Sequence, residues 1–140
     1  MSRVFWDTNL FIYLFEDAGE LSLKVAEMRK RMVSRNDQLY TSTLTLGEIL
    51  VKPLEARNHD LARKYEEILS KTCVLLPFNQ KEALLYAEIR LDRSLRAPDA
   101  IQLSCAAAAR VDLFITNDAR LSQKSVTGVQ FITSLANSPL

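Results

Sequence analysis

With 140 residues, 48% of them hydrophobic and 25% charged, the chain is sized for one domain with a substantial core, spanning 1–140 without a boundary or internal repeat. Three glycines and four prolines exclude a linker-rich or disordered architecture. A net charge of +1 neither announces nor excludes a nucleic-acid partner, because such binding depends on local patches.

The first apolar run, Val4-Phe5-Trp6, reads as the buried opening strand of a parallel sheet, ending on Asp7-Thr8-Asn9. Asn9 is the expected cap of a helix from Leu10 to Phe15. A second helix, about Leu21 to Met32, carries Leu21, Val25, Met28 and Met32 on one face and Lys24, Arg29, Lys30 and Arg31 on the other. Gln38–Ser42 reads as a short strand, followed by a helix opening at Thr43 or Thr45 that Pro53 should limit or kink. Asp60 to Ser70 is the next helix, and Cys73 to Leu76 a short strand closed by Pro77. Asn79 caps a helix from Gln80 to about Arg90, and an arginine-rich loop runs from Asp92 to Ala97. Pro98 suits the first turn of a helix reaching about Ala109. Leu113–Thr116 reads as a second buried strand, Val129–Ile132 as the last strand candidate, and Ala136–Leu140 as a loose tail. Alternating strands and helices of this kind predict an α/β fold, a parallel sheet covered on both faces.

The two cysteines, Cys73 and Cys105, have no metal-like spacing and read as buried thiols; the sole histidine, His59, sits in a polar stretch. No apolar run approaches the ~20 residues that span a bilayer. Asp7, Glu16 and Asp17 interrupt the N-terminal apolar stretch, which a signal peptide would not tolerate, so the expected location is the cytoplasm with no membrane partner.

Four carboxylates stand out by position. Asp7 and Asp118 follow strands, Glu48 lies in the first turns of the helix after the second strand, and Asp99 lies in the first turn of the Pro98 helix. Ligands of open α/β sheets bind outside the carboxyl ends of the strands, where all four can meet. Two unit charges ~5 Å apart repel by roughly 3 kcal/mol at an effective dielectric of 20, so a shared site calls for a cation. A hard divalent ion such as Mg²⁺ takes oxygen ligands and activates water without a His, Cys or Ser nucleophile. Each residue also has a plainer reading: Glu48 and Asp99 as helix-start charges, Asp118 as a turn former. Asp7 resists that reading because it interrupts an apolar stretch.

These segments resemble the PIN-domain nucleases, in particular ribonuclease toxins of VapC type from toxin–antitoxin pairs. Val4-Phe5-Trp6-Asp7-Thr8-Asn9, Thr43-Leu44-Thr45-Leu46-Gly47-Glu48, Leu95 to Leu103 with Pro98-Asp99, and Phe114-Ile115-Thr116-Asn117-Asp118 are similar to the family's four blocks, in order. The resemblance implies a three-layer α/β/α fold with a mainly parallel sheet. It implies Mg²⁺- or Mn²⁺-dependent endoribonuclease activity, with Asp7, Glu48 and Asp99 as core catalytic and metal-holding residues and Asp118 as a fourth, more variable one. Thr8, Asn9 and Thr116 become supporting polar groups. A cognate antitoxin and a homodimer are the implied partners besides RNA.

Arg90, Arg93 and Arg96, just ahead of Asp99, form the expected basic rim for substrate phosphates; a solvated helix end is the alternative. Phe11, Tyr13, Leu14 and Phe15 exceed what a small core needs, so part of that segment is expected to receive a partner helix. Two other functions compete. Aspartyl phosphotransfer as in haloacid-dehalogenase-like enzymes requires a second aspartate two residues after Asp7, where Asn9 stands. A non-catalytic PIN-like domain that binds RNA or a partner would not need all four acidic positions.

Overall fold

The computed structural model describes residues 1–140. Five strands form one sheet: β1 (Arg3–Trp6), β2 (Gln38–Ser42), β3 (Val74–Leu76), β4 (Leu113–Thr116) and β5 (Phe131–Ser134). All neighbours pair parallel, in the order β3-β2-β1-β4-β5. Seven helices connect them: α1 (Thr8–Phe15), α2 (Glu20–Ser34), α3 (Thr43–Glu55), α4 (His59–Thr72), α5 (Gln80–Ile89), α6 (Ala97–Ala108) and α7 (Ala119–Ser122). No helix is long and apolar enough to cross a membrane.

The period-2 alternation of the strands divides the core in two. Val4 and Trp6 of β1 and Leu113 and Ile115 of β4 face α1–α4, together with Leu10, Phe11, Val25, Met28, Met32 and Leu69. Phe5 and Phe114 point the other way, against Leu103, Ala106 and Ala107 of α6 and Leu121 of α7. They are register partners, and their rings stack with centroids 4.9 Å apart. The result is the expected three-layer α/β/α sandwich. Both cysteines are free; burial pushes the Cys105 thiol up to about 12 and the half-buried Cys73 thiol up to about 11.

The chain departs from the sequence expectations at several ends. α1 begins at Thr8, and its cap is Asp7, whose carboxylate accepts from the Thr8 amide at 2.9 Å; Asn9 lies inside the helix. Pro53 does not stop α3 but sits buried in its last turn, where packing offsets the backbone hydrogen bond it forfeits. The final strand starts two residues later than Val129, because Gly128 (φ 99°) and the Val129 N–H bond to the Val126 carbonyl first complete a turn. Leu140 packs against the α1–α4 core and accepts from Arg31 at 3.0 Å, so the C-terminal residues are tied down.

Candidate active site

The strand order runs 3-2-1 to one side and 4-5 to the other, so the order of winding reverses between β1 and β4 while every strand stays parallel. In open α/β sheets such a reversal leaves a crevice at the carboxyl ends of the strands. Trp6 pairs with Ile115, which puts the next residues, Asp7 and Thr116, side by side over it. The Thr116 hydroxyl donates to Asp7 Oδ2 at 2.8 Å and accepts from the Asp118 amide at 3.0 Å. Thr116 thus ties the last block to the first across 109 residues.

Beneath Asp7 lies a buried polar seam. The Thr8 hydroxyl donates to Glu48 Oε1 at 2.7 Å, which brings α3 to the site. Thr45 stands 3.1 Å from the Thr8 hydroxyl and 2.8 Å from that of Thr41, which donates to the Trp6 carbonyl. Gln102, only 2% exposed, completes the seam. Its Nε2 lies 2.7 Å from Thr45 Oγ1, 3.0 Å from Thr8 Oγ1 and 3.4 Å from Asp7 Oδ1, while its Oε1 accepts from the Ser42 hydroxyl. An amide nitrogen has two hydrogens, so the longest contact, to Asp7, is the weakest. Gln102 escaped the sequence reading, although it is one helical turn after Asp99 and is the polar interruption in an apolar run.

Asp99 reaches the crevice from the first turn of α6, which Pro98 opens. Its Oδ2 accepts from the Arg96 amide at 3.0 Å, a capping contact. The same oxygen lies 3.3 Å from Arg120 Nη2, which also donates to Asp118 Oδ2 at 2.7 Å. The guanidinium's other arm, Nη1, donates to the Ser94 carbonyl at 3.1 Å. Arg120 is therefore the basic residue of the crevice. By contrast, Arg90 folds back on its own helix, 2.9 Å from the Tyr86 hydroxyl and over its ring. Arg93 and Arg96 are exposed on the loop ahead of α6.

The four acidic side chains line one crevice as two bridged pairs. Thr8 links Asp7 to Glu48 through its amide and its hydroxyl, and Arg120 links Asp99 to Asp118. No three His, Cys, Asp or Glu side chains close on a single point. Desolvation of Asp7 raises its pKa; Thr116 and the Thr8 amide oppose that shift, and the nearby charges of Asp99 and Glu48 add to it. A cation would reverse the penalty. The donors fit a hard divalent ion in kind, being carboxylate oxygens backed by hydroxyls and an amide. Asn9 stands at the mouth, its Oδ1 3.3 Å from the Asn117 amide, and Asn117 donates to the Tyr13 hydroxyl at 2.9 Å.

A groove of about 280 Å³ runs between α1, α3 and α4, lined by Ile12, Phe15, Glu48, Ile49, Leu61 and Tyr65 among others. Phe11 is wholly internal, whereas Ile12 is 37% exposed. Phe15 stacks on Tyr65 with centroids 4.7 Å apart.

Among solved structures, VapBC2 from Rickettsia felis bound to a promoter DNA fragment matches with a TM-score of 0.74 at 14% identity. The match covers 94% of this chain and 98% of that one. DNA-bound VapBC from Salmonella typhimurium matches at 0.72 and 18% identity, over 96% and 99%. A toxin–antitoxin complex from Klebsiella pneumoniae matches at 0.65 and 23%, over 90% and 94%. At these identities the likeness is one of fold. No curated protein sequence matches the chain. The family model of the PIN domain matches residues 4–126, a span that includes all four acidic positions, and the chain belongs to the PIN domain family.

Proposed function

We propose that the chain is a metal-dependent endoribonuclease, the VapC-type toxin of a toxin–antitoxin pair acting in the cytoplasm. The observation that supports this reading is the set of contacts linking Asp7 to Glu48 through Thr8, Asp7 to the Asp118 amide through Thr116, and Asp118 to Asp99 through Arg120, with Asp7 feeling the charges of Asp99 and Glu48. The fold neighbours from VapBC complexes support the toxin assignment.

Mg²⁺, or Mn²⁺ in its place, would supply a Lewis acid and a water of lowered pKa when bound. Asp7, Glu48 and Asp99 would hold it, with Asp118 assisting. Thr116 and the Thr8 amide fix the Asp7 carboxylate in one orientation, leaving its remaining lone pairs directed at the crevice. Thr8 does the same for Glu48, and Gln102 locks Thr8 and Thr45 beneath. Arg93 and Arg96, free at the lip of α6, would pair with the RNA backbone and position it without reading sequence. Arg90 would join them only by leaving Tyr86. The groove between α1, α3 and α4 would receive an apolar antitoxin helix, and the active toxin would be a homodimer.

Cleavage of a panel of structured RNAs in Mg²⁺, in Mn²⁺ and in EDTA, beside Asp7→Asn, tests the reading. Metal-dependent cuts that vanish in the variant are expected. Undiminished cleavage by Asp7→Asn would overturn it. A non-catalytic RNA- or partner-binding PIN domain is the second reading. It is favoured by one observation, the neutralisation of Asp99 and Asp118 by Arg120, and predicts RNA binding with no cuts in any metal.

A further inference from the structure

Arg120 lies where a metal shared by Asp99 and Asp118 would lie. A single nitrogen, Nη2, touches one oxygen of each carboxylate, at 3.3 Å and 2.7 Å. The remaining contacts show that this seat is built rather than incidental. The Arg120 amide donates to Asp118 Oδ1 at 2.9 Å, so backbone and side chain both hold the same carboxylate. Leu121, buried against the α5–α6 side of the sheet, anchors the one-turn helix from which the side chain departs. Nη1 docks on the Ser94 carbonyl, and Ser94 is itself clamped: its amide and hydroxyl donate to Asp92 Oδ1 at 3.0 and 2.6 Å. Lys124 reaches in from beyond α7 to contact both Asp92 Oδ2 and the Ser94 hydroxyl, at 2.8 and 2.7 Å. One lysine–aspartate ion pair, relayed through Ser94, thus supports the guanidinium.

A divalent ion and this guanidinium want the same lone pairs. Mg²⁺ binds oxygens at about 2.1 Å, so an ion seated between Oδ2 of Asp99 and Oδ2 of Asp118 would fall against Nη2, a like charge, and the two compete for that seat. We propose that Arg120 is a resident counter-cation of the acidic site: it occupies the Asp99–Asp118 half while no metal is bound, must leave before a divalent ion can engage those carboxylates, and so raises the metal concentration at which the site fills. The proposal rests on the metal-dependent reading above and adds a control to it. Arg120 acts through Asp99 and Asp118 and is a positioning residue, not a catalytic one. Its 37% exposed side chain has solvent to swing into, so displacement needs no rearrangement of the core.

The binding-competent state is the fraction of molecules in which Arg120 is undocked, and apparent affinity scales with that fraction. If the guanidinium is docked about nine-tenths of the time, Arg120→Gln tightens metal binding about tenfold. The experiment is titration of the full-length, RNA-free protein with Mn²⁺, following free ion by electron paramagnetic resonance. Wild type, Arg120→Gln and Lys124→Gln are compared. Lys124→Gln keeps Arg120 but loosens the Ser94 loop, so it covers the case in which Arg120→Gln fails to fold. The expected order of affinity is Arg120→Gln tightest, Lys124→Gln next, wild type weakest. Equal or weaker Mn²⁺ binding by folded Arg120→Gln, or unchanged binding by Lys124→Gln alone where the first variant does not fold, overturns the proposal. Wild-type Mn²⁺ binding in that same titration leaves the metal-dependent reading standing. Absence of Mn²⁺ binding in every folded protein removes both.

Discussion

Burial raises the pKa of Asp7, and the carboxylates of Asp99 and Glu48 add to it, while Thr116 and the Thr8 amide pull the other way. The folded value therefore lies above the ordinary 3.8, and the folded state binds more protons than the unfolded chain between the two values. Stability falls as pH rises through that window, and at neutral pH the charged form carries the whole penalty. Asp7→Asn is accordingly expected to abolish cleavage yet raise the melting temperature at pH 7.5. That gain should vanish below pH 3.8, where both states hold the proton, and shrink when Mg²⁺ is added to the wild type; calorimetric melting across pH checks it. Thr116→Val removes the opposing hydrogen bond and pushes Asp7 higher still, so the acid limb of the cleavage–pH profile should move to higher pH. Gln102→Leu leaves Thr8, Thr45 and Ser42 without their buried partner at a cost of about 2 kcal/mol. It should also reduce cleavage by about a hundredfold, since the hydroxyl that orients Glu48 loses its own anchor.

At the scale of elements, the turn before β5 is the most demanding. Gly128 has φ 99°, and a Cβ there would stand 2.9 Å from the Ala107 carbonyl of α6. Gly128→Ala combines a disfavoured backbone with a clash against main chain, for a loss of about 2 kcal/mol or more, roughly 6 °C in melting temperature. Circular dichroism melts read this directly, and an unchanged melt would mean that the turn can rearrange. This turn also explains one error of the sequence reading: Val129 looks like strand because it is apolar, but it is buried as a turn residue packing on α6 and α7. The strands β1 and β4 were legible because residues buried on both faces leave an unbroken apolar run that ends at a carboxylate. The places of the four acidic residues in the fold were legible too: Asp7 and Asp118 follow strands, Asp99 lies in the first turn of α6 and Glu48 in the second turn of α3. Arg120 and Gln102 were not. One is an ordinary surface-type residue until Asp99 and Ser94 fold against it, and the other's partners lie 57, 60 and 94 residues away. Asp7 as cap was missed because Asn9 caps a helix equally well by propensity, and only the β1/β4 pairing fixes where the helix must begin.

For the molecule as a whole, the acidic site and the apolar groove adjoin through Glu48, which accepts from Thr8 on one side and lines the groove on the other. Ile12→Glu, at an exposed position in the groove, should weaken binding of an apolar antitoxin helix at least tenfold by calorimetry. The fold should be unchanged by circular dichroism, because Ile12 is 37% exposed. The central place of β1 has a further consequence for synthesis. Asp7 leaves the ribosome 109 residues ahead of its neighbour Thr116, an interval of roughly 5 to 20 s at ordinary elongation rates. Until then the centre of the sheet lacks a strand and Asp99 and Asp118 have no site to join. The walls of the groove, α1, α3 and α4, are all complete by Thr72. On the proposed reading, a nascent chain presents its docking face while its acidic site is still unmade, and it meets an inhibitor before it can cut.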